Sequence, residues 1–251
     1  MNKNEIIRLI KNHYNFSQIY EFCPEGGLMN KNFSFKDESG QKYFLKIYQY
    51  YGENKIKESY NVKDLIAPEI KTNELIKSKD NKYLIEKDNV LIEISKFITN
   101  GKTIFLVQDI NTKHLIEIAK NLALFHKKIE NYQSNLKFID FFTLDKDEEI
   151  LNKINKKISG SNNFDIHCKK LIALKLRQIN KFKNIEIKSN KLPRQLNHGD
   201  FLPPNCFFDK QDNFSHLIDF EHILYTYRIY DIVKTSLFLS RYEQYEIPNS
   251  G

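Results

Sequence analysis

Two carboxylates and one amide stand in the last quarter of the chain at a spacing that suits phosphate transfer. Residues 198–205 read His-Gly-Asp-Phe-Leu-Pro-Pro-Asn, and Asp219 follows within Leu-Ile-Asp-Phe-Glu. In phosphate-transfer sites one Asp takes the proton of an attacking hydroxyl, while an Asn and a second Asp hold magnesium against the phosphates of ATP. The spacing therefore predicts Asp200 as the catalytic base and Asn205 and Asp219 as metal ligands.

The residues around this set predict a small hairpin. Leu196 and the segments 206–208 and 216–218 are short apolar stretches, and the polar run 209–213 between the last two has the composition of a turn. The alternative interpretation is that Asp200 and Asn205 only form a loop and Asp219 only ends a strand. The hairpin context favours the catalytic interpretation.

A glycine pair near the N-terminus could close over phosphates. Gly26 and Gly27 lie in a turn, 26–30, between stretches that read as strands. A backbone without side chains can approach phosphate groups closely. Lys46 stands on the strand predicted at 43–47, where kinases place a lysine that contacts the α- and β-phosphates. Together these residues predict a nucleotide site.

A lysine of this kind usually pairs with a glutamate on the next helix. The segment 53–66 is compatible with a helix and stops before Pro68. We predict Glu58, in the middle of this helix, as the partner of Lys46, with Glu53 as the reserve. Both glutamates could equally be exposed helix charges.

The character of the chain changes near residue 98. Segments 73–77, 83–87 and 90–94 alternate or run apolar as strands do, whereas 114–126 and 164–183 have apolar residues at helical spacing. Residues 95–101, which include Ser95 and Phe97, are the predicted hinge, whose backbone can read the edge of adenine. The expected fold class is α+β, with an N-terminal antiparallel sheet lobe, 1–98, and a mainly helical C-terminal lobe, 99–251, that carries the catalytic hairpin.

Composition narrows the class of protein. The chain has 251 residues, which allows one large domain or two small ones, and its net charge is +7. The lysines are spread along the whole chain and no nucleic-acid motif is visible, so we expect a solvated basic surface and no nucleic-acid partner. Three cysteines without metal-ligand spacing predict neither disulfides nor zinc.

The N-terminus predicts no targeting segment. Its apolar residues are broken by charges and lack the continuous core of a signal peptide, and the apolar runs of the chain are far shorter than a membrane span. From the sequence we therefore expect a cytoplasmic protein with no membrane partner.

Four segments resemble the choline kinase and aminoglycoside phosphotransferase superfamily, and the bacterial choline kinase branch in particular. They are the glycine loop 26–33, the hinge 93–98, the segment 218–221 and the segment 227–232. Met29 stands where that branch usually has Thr, which puts one hydroxyl contact near the phosphates in doubt. The resemblance implies a bilobal, protein-kinase-like fold and the cofactors ATP and Mg²⁺.

The same resemblance assigns roles to individual residues. It implies Asp200 as the base and Asp231 as a brace for the catalytic loop, and it places Gly26, Gly27 and Asn30 at the nucleotide. Asn205 and Asp219 are then the magnesium ligands and Lys46 the phosphate contact. Glu221 has either a metal-site role or a structural one.

The resemblance also implies transfer of the γ-phosphate of ATP to a hydroxyl group of a small molecule. A choline- or ethanolamine-type amino alcohol is the first expectation, although the chain has no tryptophan for the aromatic cage common in choline kinases. Five tyrosines near the C-terminus are either substitute cage walls or ordinary packing residues: Tyr225, Tyr227, Tyr230, Tyr242 and Tyr245.

Three rival functions stay open. An antibiotic phosphotransferase would need acidic residues around the cleft, for which Asp140 and the run 145–149 are candidates, although the run could equally be a solvated helix start. A homoserine or sugar kinase is also compatible. A pseudokinase that only binds nucleotide is the rival from a different class. The sequence leaves the oligomeric state undetermined.

Overall fold

A computed structural model describes residues 2–27, 29–87, 90–141, 144–183 and 191–240. The N-terminal part is built on a five-stranded antiparallel sheet with the order β1-β2-β3-β5-β4. Its strands are β1 (Tyr20–Glu25), β2 (Lys31–Lys36), β3 (Lys42–Tyr48), β4 (Leu84–Lys87) and β5 (Val90–Lys96). Two helices accompany the sheet, α1 (Lys3–His13) before it and α2 (Glu53–Ile66) between β3 and β4.

One face of this sheet packs on α1. The helix begins at a capping box, in which Asn2 and Glu5 bond each other's backbone N–H groups. Its apolar stripe, which includes Ile10, packs with Phe35 and Ile92 in one buried cluster. The opposite face carries Lys46, which pairs in register with Glu93 across β3 and β5. The sheet thereby presents charged side chains to the interior of the molecule.

The C-terminal part is mainly helical. Its helices are α3 (Thr112–Lys128), α4 (Leu144–Lys157), α5 (Asn163–Lys183) and α6 (Ile229–Leu239). Two short antiparallel pairs lie among them, β6 (Arg194–Asn197) with β9 (Leu224–Tyr227), and β7 (Cys206–Phe208) with β8 (Phe214–Leu217). The main core joins α3 to these pairs and also takes in Val62 and Ile66 of α2. The α+β class, with an N-terminal antiparallel sheet and a helical C-terminal part, is as predicted.

The predicted catalytic hairpin is present. Asp209 closes the turn between β7 and β8 by accepting hydrogen bonds from the backbone N–H groups of Gln211 and Asn213, at 2.8 and 2.9 Å. The strand expected at 73–77 does not form. This segment makes one isolated β-bridge, between Leu75 and Ser95, and is otherwise a loop. The domain boundary after residue 98 stays a prediction.

Within the described ranges, none of the helices is both long enough and apolar enough to span a membrane.

Candidate active site

The two residues that precede Asp200, His198 and Gly199, fix the loop that carries it. Gly199 has φ +81°, and a Cβ at this position would lie 2.1 Å from the carbonyl oxygen of His222. His198 is fully buried, and its Nε2 donates to the carbonyl of Ile218 at 3.0 Å while its Nδ1 accepts from the N–H of Asp200 at 3.3 Å. Burial lowers the pKa of His198. A neutral imidazole therefore ties the loop to the strand before Asp219.

Asp231 braces the same loop from α6. Its carboxylate is fully buried and accepts the N–H groups of His198 and Gly199, each at 2.8 Å, and the Nε2 of His126 lies 3.2 Å away. A buried carboxylate that accepts several donors is a strong positional constraint. This contact is the one that the family resemblance implies for Asp231.

The carboxylate of Asp200 is held from two sides. Asn205 Nδ2 donates to its Oδ2 at 2.7 Å and to its backbone carbonyl at 2.9 Å, while Lys234 Nζ lies 2.7 Å from its Oδ1. The side chain remains partly exposed. The structure thus brings the predicted base and one predicted metal ligand into direct contact.

Asp219 lies two residues after the end of β8 and has a left-handed backbone conformation, φ 64° and ψ 51°, which short polar residues tolerate. Lys46 reaches it across the cleft, with Nζ 2.6 Å from Asp219 Oδ1 and 2.8 Å from Glu221 Oε1. Burial alone would lower the pKa of Lys46, but Asp219, Glu221 and Glu93 together raise it. Burial alone would likewise raise the pKa of Asp219, and the ammonium of Lys46 lowers it instead. Both groups are therefore charged at neutral pH.

The predicted pairing of Lys46 with Glu58 is wrong. Glu58 points away from the cleft and accepts hydrogen bonds from Ser134 Oγ at 2.7 Å and from the N–H of Asn135 at 3.1 Å. The reserve candidate, Glu53, pairs with Lys57 on the helix surface. The reason is the rotation of α2, since each residue turns the helix by about 100°. Ser59, one residue on, faces the cavity in place of Glu58.

Glu93 is the carboxylate that the sequence analysis missed. It lies opposite Lys46 on β5, is buried, and its Oε2 accepts the hydroxyls of Tyr48 and Tyr60 at 3.0 and 2.7 Å. Lys63 of α2 is also buried, with its Nζ 3.9 Å from Glu93 Oε1, and burial lowers the pKa of Lys63. A charged residue inside the apolar run 90–95 was the available signal, because such residues are rarely buried without a partner.

A cavity of about 720 Å³ lies between the sheet and the hairpin. The predicted residues that line it are Gly26, Gly27, Lys46, Ser95, Phe97, Asn205 and Asp219. Phe44 and Ile218 are apolar lining residues that suit a flat base. Of the remaining predictions, Asp200 and Glu58 are not among the lining residues, and Asp200 adjoins the cavity through its hydrogen bond to Asn205. Asn30 contacts it indirectly, through a 2.9 Å hydrogen bond to Glu221.

The residues that converge at the hairpin end of the cavity are oxygen donors. Asp219 and Glu221 supply carboxylates and Asn205 supplies an amide, which is the donor chemistry that magnesium prefers. Lys46 lies beside them and can contact phosphate oxygens. The residues present therefore fit a magnesium–nucleotide complex.

A model of the APH phosphotransferase enzyme family matches residues 24–244, a range that contains every residue of this site. The chain belongs to this phosphotransferase family. It is accordingly an enzyme that transfers phosphoryl groups to small molecules. A search of curated protein sequences gave no match for the phosphotransferase.

Solved structures share the fold of the phosphotransferase. A spectinomycin phosphotransferase in complex with ADP and spectinomycin is 19% identical, with a TM-score of 0.73 over 92% of this chain and 72% of that one. Amicoumacin kinase in complex with AMP-PNP and Ca²⁺ is 15% identical, with a TM-score of 0.69 over 98% and 72%. A microcompartment-associated aminopropanol kinase is 11% identical, with a TM-score of 0.62 over 92% and 73%. These likenesses establish a kinase-like fold.

The tyrosines proposed as cage walls differ in environment. Tyr225 and Tyr227 pack edge-on against Phe138, whose ring lies 4.4 Å from the guanidinium carbon of Arg194, so these two serve packing. Tyr230 instead stacks on the exposed ring of Phe141 at 4.8 Å. Tyr242 and Tyr245 lie outside the described residues.

Four of the five acidic residues proposed for an antibiotic site contact other side chains of the chain. Asp145 and Glu148 both pair with Lys183, and Glu149 pairs with Lys153, so this run joins α4 to α5 and to itself. Asp140 accepts the hydroxyl of Tyr227 at 3.2 Å.

Proposed function

We propose that this phosphotransferase moves the γ-phosphoryl group of magnesium-bound ATP to the hydroxyl of an amino alcohol of the choline or ethanolamine type. One observation carries the chemistry. The Asp200 carboxylate is oriented by Asn205, and Asn205 lines the same cavity as Lys46 and Asp219. A metal-ligand pair and a phosphate-binding cation thus line one cavity, and the proton acceptor adjoins this cavity through its hydrogen bond to Asn205.

The residues divide the work as follows. The acceptor hydroxyl binds at Asp200, whose carboxylate orients it and takes its proton as the oxygen attacks phosphorus. Lys46 binds phosphate oxygens, since an ammonium has three N–H donors. When bound, magnesium held by Asn205 and Asp219 supplies positive charge that neutralises the phosphates.

The base of the nucleotide lies between Phe44 and Ile218 in this proposal. The hinge at Ser95 and Phe97 supplies backbone groups to its edge, as in other kinase-like sites. The loop at Gly26 and Gly27 covers the phosphates, and Asn32 Nδ2 holds this loop by donating to the Gly26 carbonyl at 2.8 Å.

Two features support an amino alcohol as the acceptor. Tyr230, which stacks on Phe141, directly precedes the brace Asp231 in the sequence, and aromatic faces bind cations. The similarly folded aminopropanol kinase is named for an amino alcohol.

An acceptor panel tests this proposal. Magnesium, ATP and enzyme are incubated with choline, ethanolamine, homoserine, a sugar or kanamycin at equal concentration, and phosphorylated product is measured by mass spectrometry. We expect product on choline or ethanolamine. Product only on kanamycin, a sugar or homoserine would reject the amino alcohol and leave the kinase chemistry standing. Nucleotide binding without any product would favour the pseudokinase.

A further inference from the structure

Helix α6 contacts the catalytic loop, residues 198–201, through three polar side chains that differ in charge and exposure. Asp231 and Thr235 are buried; Asp231 accepts two loop N–H groups, and Thr235 Oγ1 donates to the Phe201 carbonyl at 2.7 Å. Both are constraints on the backbone. Lys234 differs, because 36% of its side chain is exposed and its ammonium reaches the carboxylate that accepts the proton.

The ammonium of Lys234 has two acceptors among the described residues. It donates to the Gly199 carbonyl at 2.5 Å and to Asp200 Oδ1 at 2.7 Å. An ammonium has three N–H donors, so one is left for a ligand. An ion pair this exposed contributes little to stability, which makes a purely structural role a poor account of its position.

The third donor is available to a group that binds beside the Asp200 carboxylate. An acceptor hydroxyl must lie roughly 3 Å from the Asp200 carboxylate to give up its proton. Lys234 Nζ is 2.7 Å from the same carboxylate. If the hydroxyl bonds the same carboxylate oxygen, the ammonium and the attacking oxygen are at most about 6 Å apart, and a phosphoryl oxygen that lies between them can accept a hydrogen bond from the ammonium.

We propose that Lys234 is a further catalytic residue, which binds an oxygen of the phosphoryl group in transfer while it holds Asp200 in place. This role rests on the proposed function. The acceptor oxygen forms a bond to the γ-phosphorus as the bond to the β–γ bridging oxygen breaks, and that electron pair leaves with ADP. The hydroxyl proton passes to Asp200. Lys234 keeps its proton throughout and stabilises the negative charge on the phosphoryl oxygens.

Two variants and a matched control test this role. Lys234→Met removes the charge, and Lys234→Arg keeps it. Lys36→Met is the control, because Lys36 is also 36% exposed and also lies 2.7 Å from a carboxylate, that of Glu21. Each protein is assayed for ADP release from magnesium ATP with ethanolamine, with choline and with water alone, and for ATP affinity by calorimetry.

We expect kcat of Lys234→Met to fall by roughly 100-fold, as when a donor to developing charge is removed. The ATP Kd and the melting temperature should stay near those of wild type. Lys234→Arg should recover part of the rate, and Lys36→Met should match wild type. A Lys234→Met rate within twofold of wild type would overturn the role, as would an Lys234→Arg rate no higher than that of Lys234→Met.

Asp200→Asn separates phosphoryl contact from action through the base. If Lys234 touches the phosphoryl group, Lys234→Met should lower the residual rate of Asp200→Asn further, by about tenfold. No further loss would mean that Lys234 acts only through Asp200 and would reject the phosphoryl contact. A wild-type enzyme that binds ATP but transfers to no acceptor would reject the proposed function itself, and this role with it.

Discussion

The proposed reaction depends on Asp200 as its base, and the surroundings of this residue support that role. Its two carboxylate oxygens are held by Asn205 on one side and Lys234 on the other, at 2.7 Å each. The backbone before it is pinned by Asp231. The acid is therefore oriented before any acceptor binds, which reduces the reorganisation needed in the transition state.

Asp200→Asn should abolish most turnover and leave nucleotide binding intact. The amide keeps the size of the side chain but loses the charge that accepts the proton, so kcat should fall by roughly 100-fold or more. Steady-state ADP release gives the rate, and calorimetry gives the ATP Kd. Near-normal turnover would remove Asp200 as the base.

Lys46→Met should weaken the magnesium-dependent rise in melting temperature that ATP produces. At a fixed ligand concentration, a ligand that binds more weakly stabilises the native state less, and the variant loses a phosphate contact. Each variant is compared with its own nucleotide-free form, because Asp219 and Glu221 lose their counter-charge. Lys57→Met, which breaks only the surface pair with Glu53, is the control. An unchanged shift in Lys46→Met would contradict the nucleotide assignment.

The sequence predicted best the residues whose type and spacing can be seen within one short segment. Asp200 and Asn205 precede the β7–β8 hairpin and Asp219 follows it, and the structure brings Asn205 against Asp200. The predicted pairing of Glu58 with Lys46 was wrong because the direction of the Glu58 side chain depends on the rotation of α2 about its axis. Glu93 required the register of β3 against β5, which the sequence alone does not define.

At the scale of elements, the tight turn at Gly199 sets how closely two loops approach. Its backbone lies against the carbonyl of His222, which follows the segment that carries Asp219. The catalytic loop and the metal-ligand loop are therefore packed backbone to backbone. A glycine is required there both for its positive φ and for the absence of Cβ.

Gly199→Ala and Gly40→Ala separate these two requirements. Both glycines have φ near +81°, at +81° and +82°, but a Cβ at Gly40 would meet nothing within 4 Å. Gly40→Ala should cost about 1–2 kcal/mol of unfolding free energy from backbone strain alone. Gly199→Ala should cost roughly 2 kcal/mol more, because backbone atoms must shift. Urea denaturation measures both, and equal costs would contradict the close packing.

Helices with a strong periodicity of apolar residues were predicted correctly, whereas the strand prediction failed at a segment whose structure depends on its neighbours in the sheet. Helix α2 has the predicted bounds, and α3 and α5 cover the predicted segments. The segment 73–77 alternates like a strand, yet it has one bridge because β4 already occupies the neighbouring edge of β5. Strand β9 and helix α6 lie just after Asp219, and their residues suggested roles in the site more clearly than they suggested a strand and a helix.

At the scale of the whole molecule, polar contacts join the sheet part to the helical part around the cleft. Lys46 bonds Asp219 and Glu221, Asn30 bonds Glu221, and Glu58 bonds the segment after α3. The contacts of Lys46 and of Asn30 lie at the nucleotide cavity. The Glu58 contact lies outside the cavity lining and serves as a structural joint.

Glu58→Ala should therefore destabilise the protein without impairing nucleotide binding. Ser134 Oγ and the N–H of Asn135 would each lose an acceptor, and Glu58 is 4% exposed. The expected loss is about 1–3 kcal/mol of unfolding free energy. Urea denaturation and ATP calorimetry measure the two properties separately. A large loss of ATP affinity with unchanged stability would restore Glu58 to the nucleotide site.

Transfer of phosphate itself tests the central claim most directly. Wild-type enzyme and Asp200→Asn are incubated with ATP and ethanolamine, with magnesium or with excess chelator, and product is measured by mass spectrometry. The account predicts phosphorylated ethanolamine from wild type with magnesium, none with chelator, and roughly 100-fold less or lower from Asp200→Asn. Equal product from both proteins, or product that persists in chelator, would contradict it.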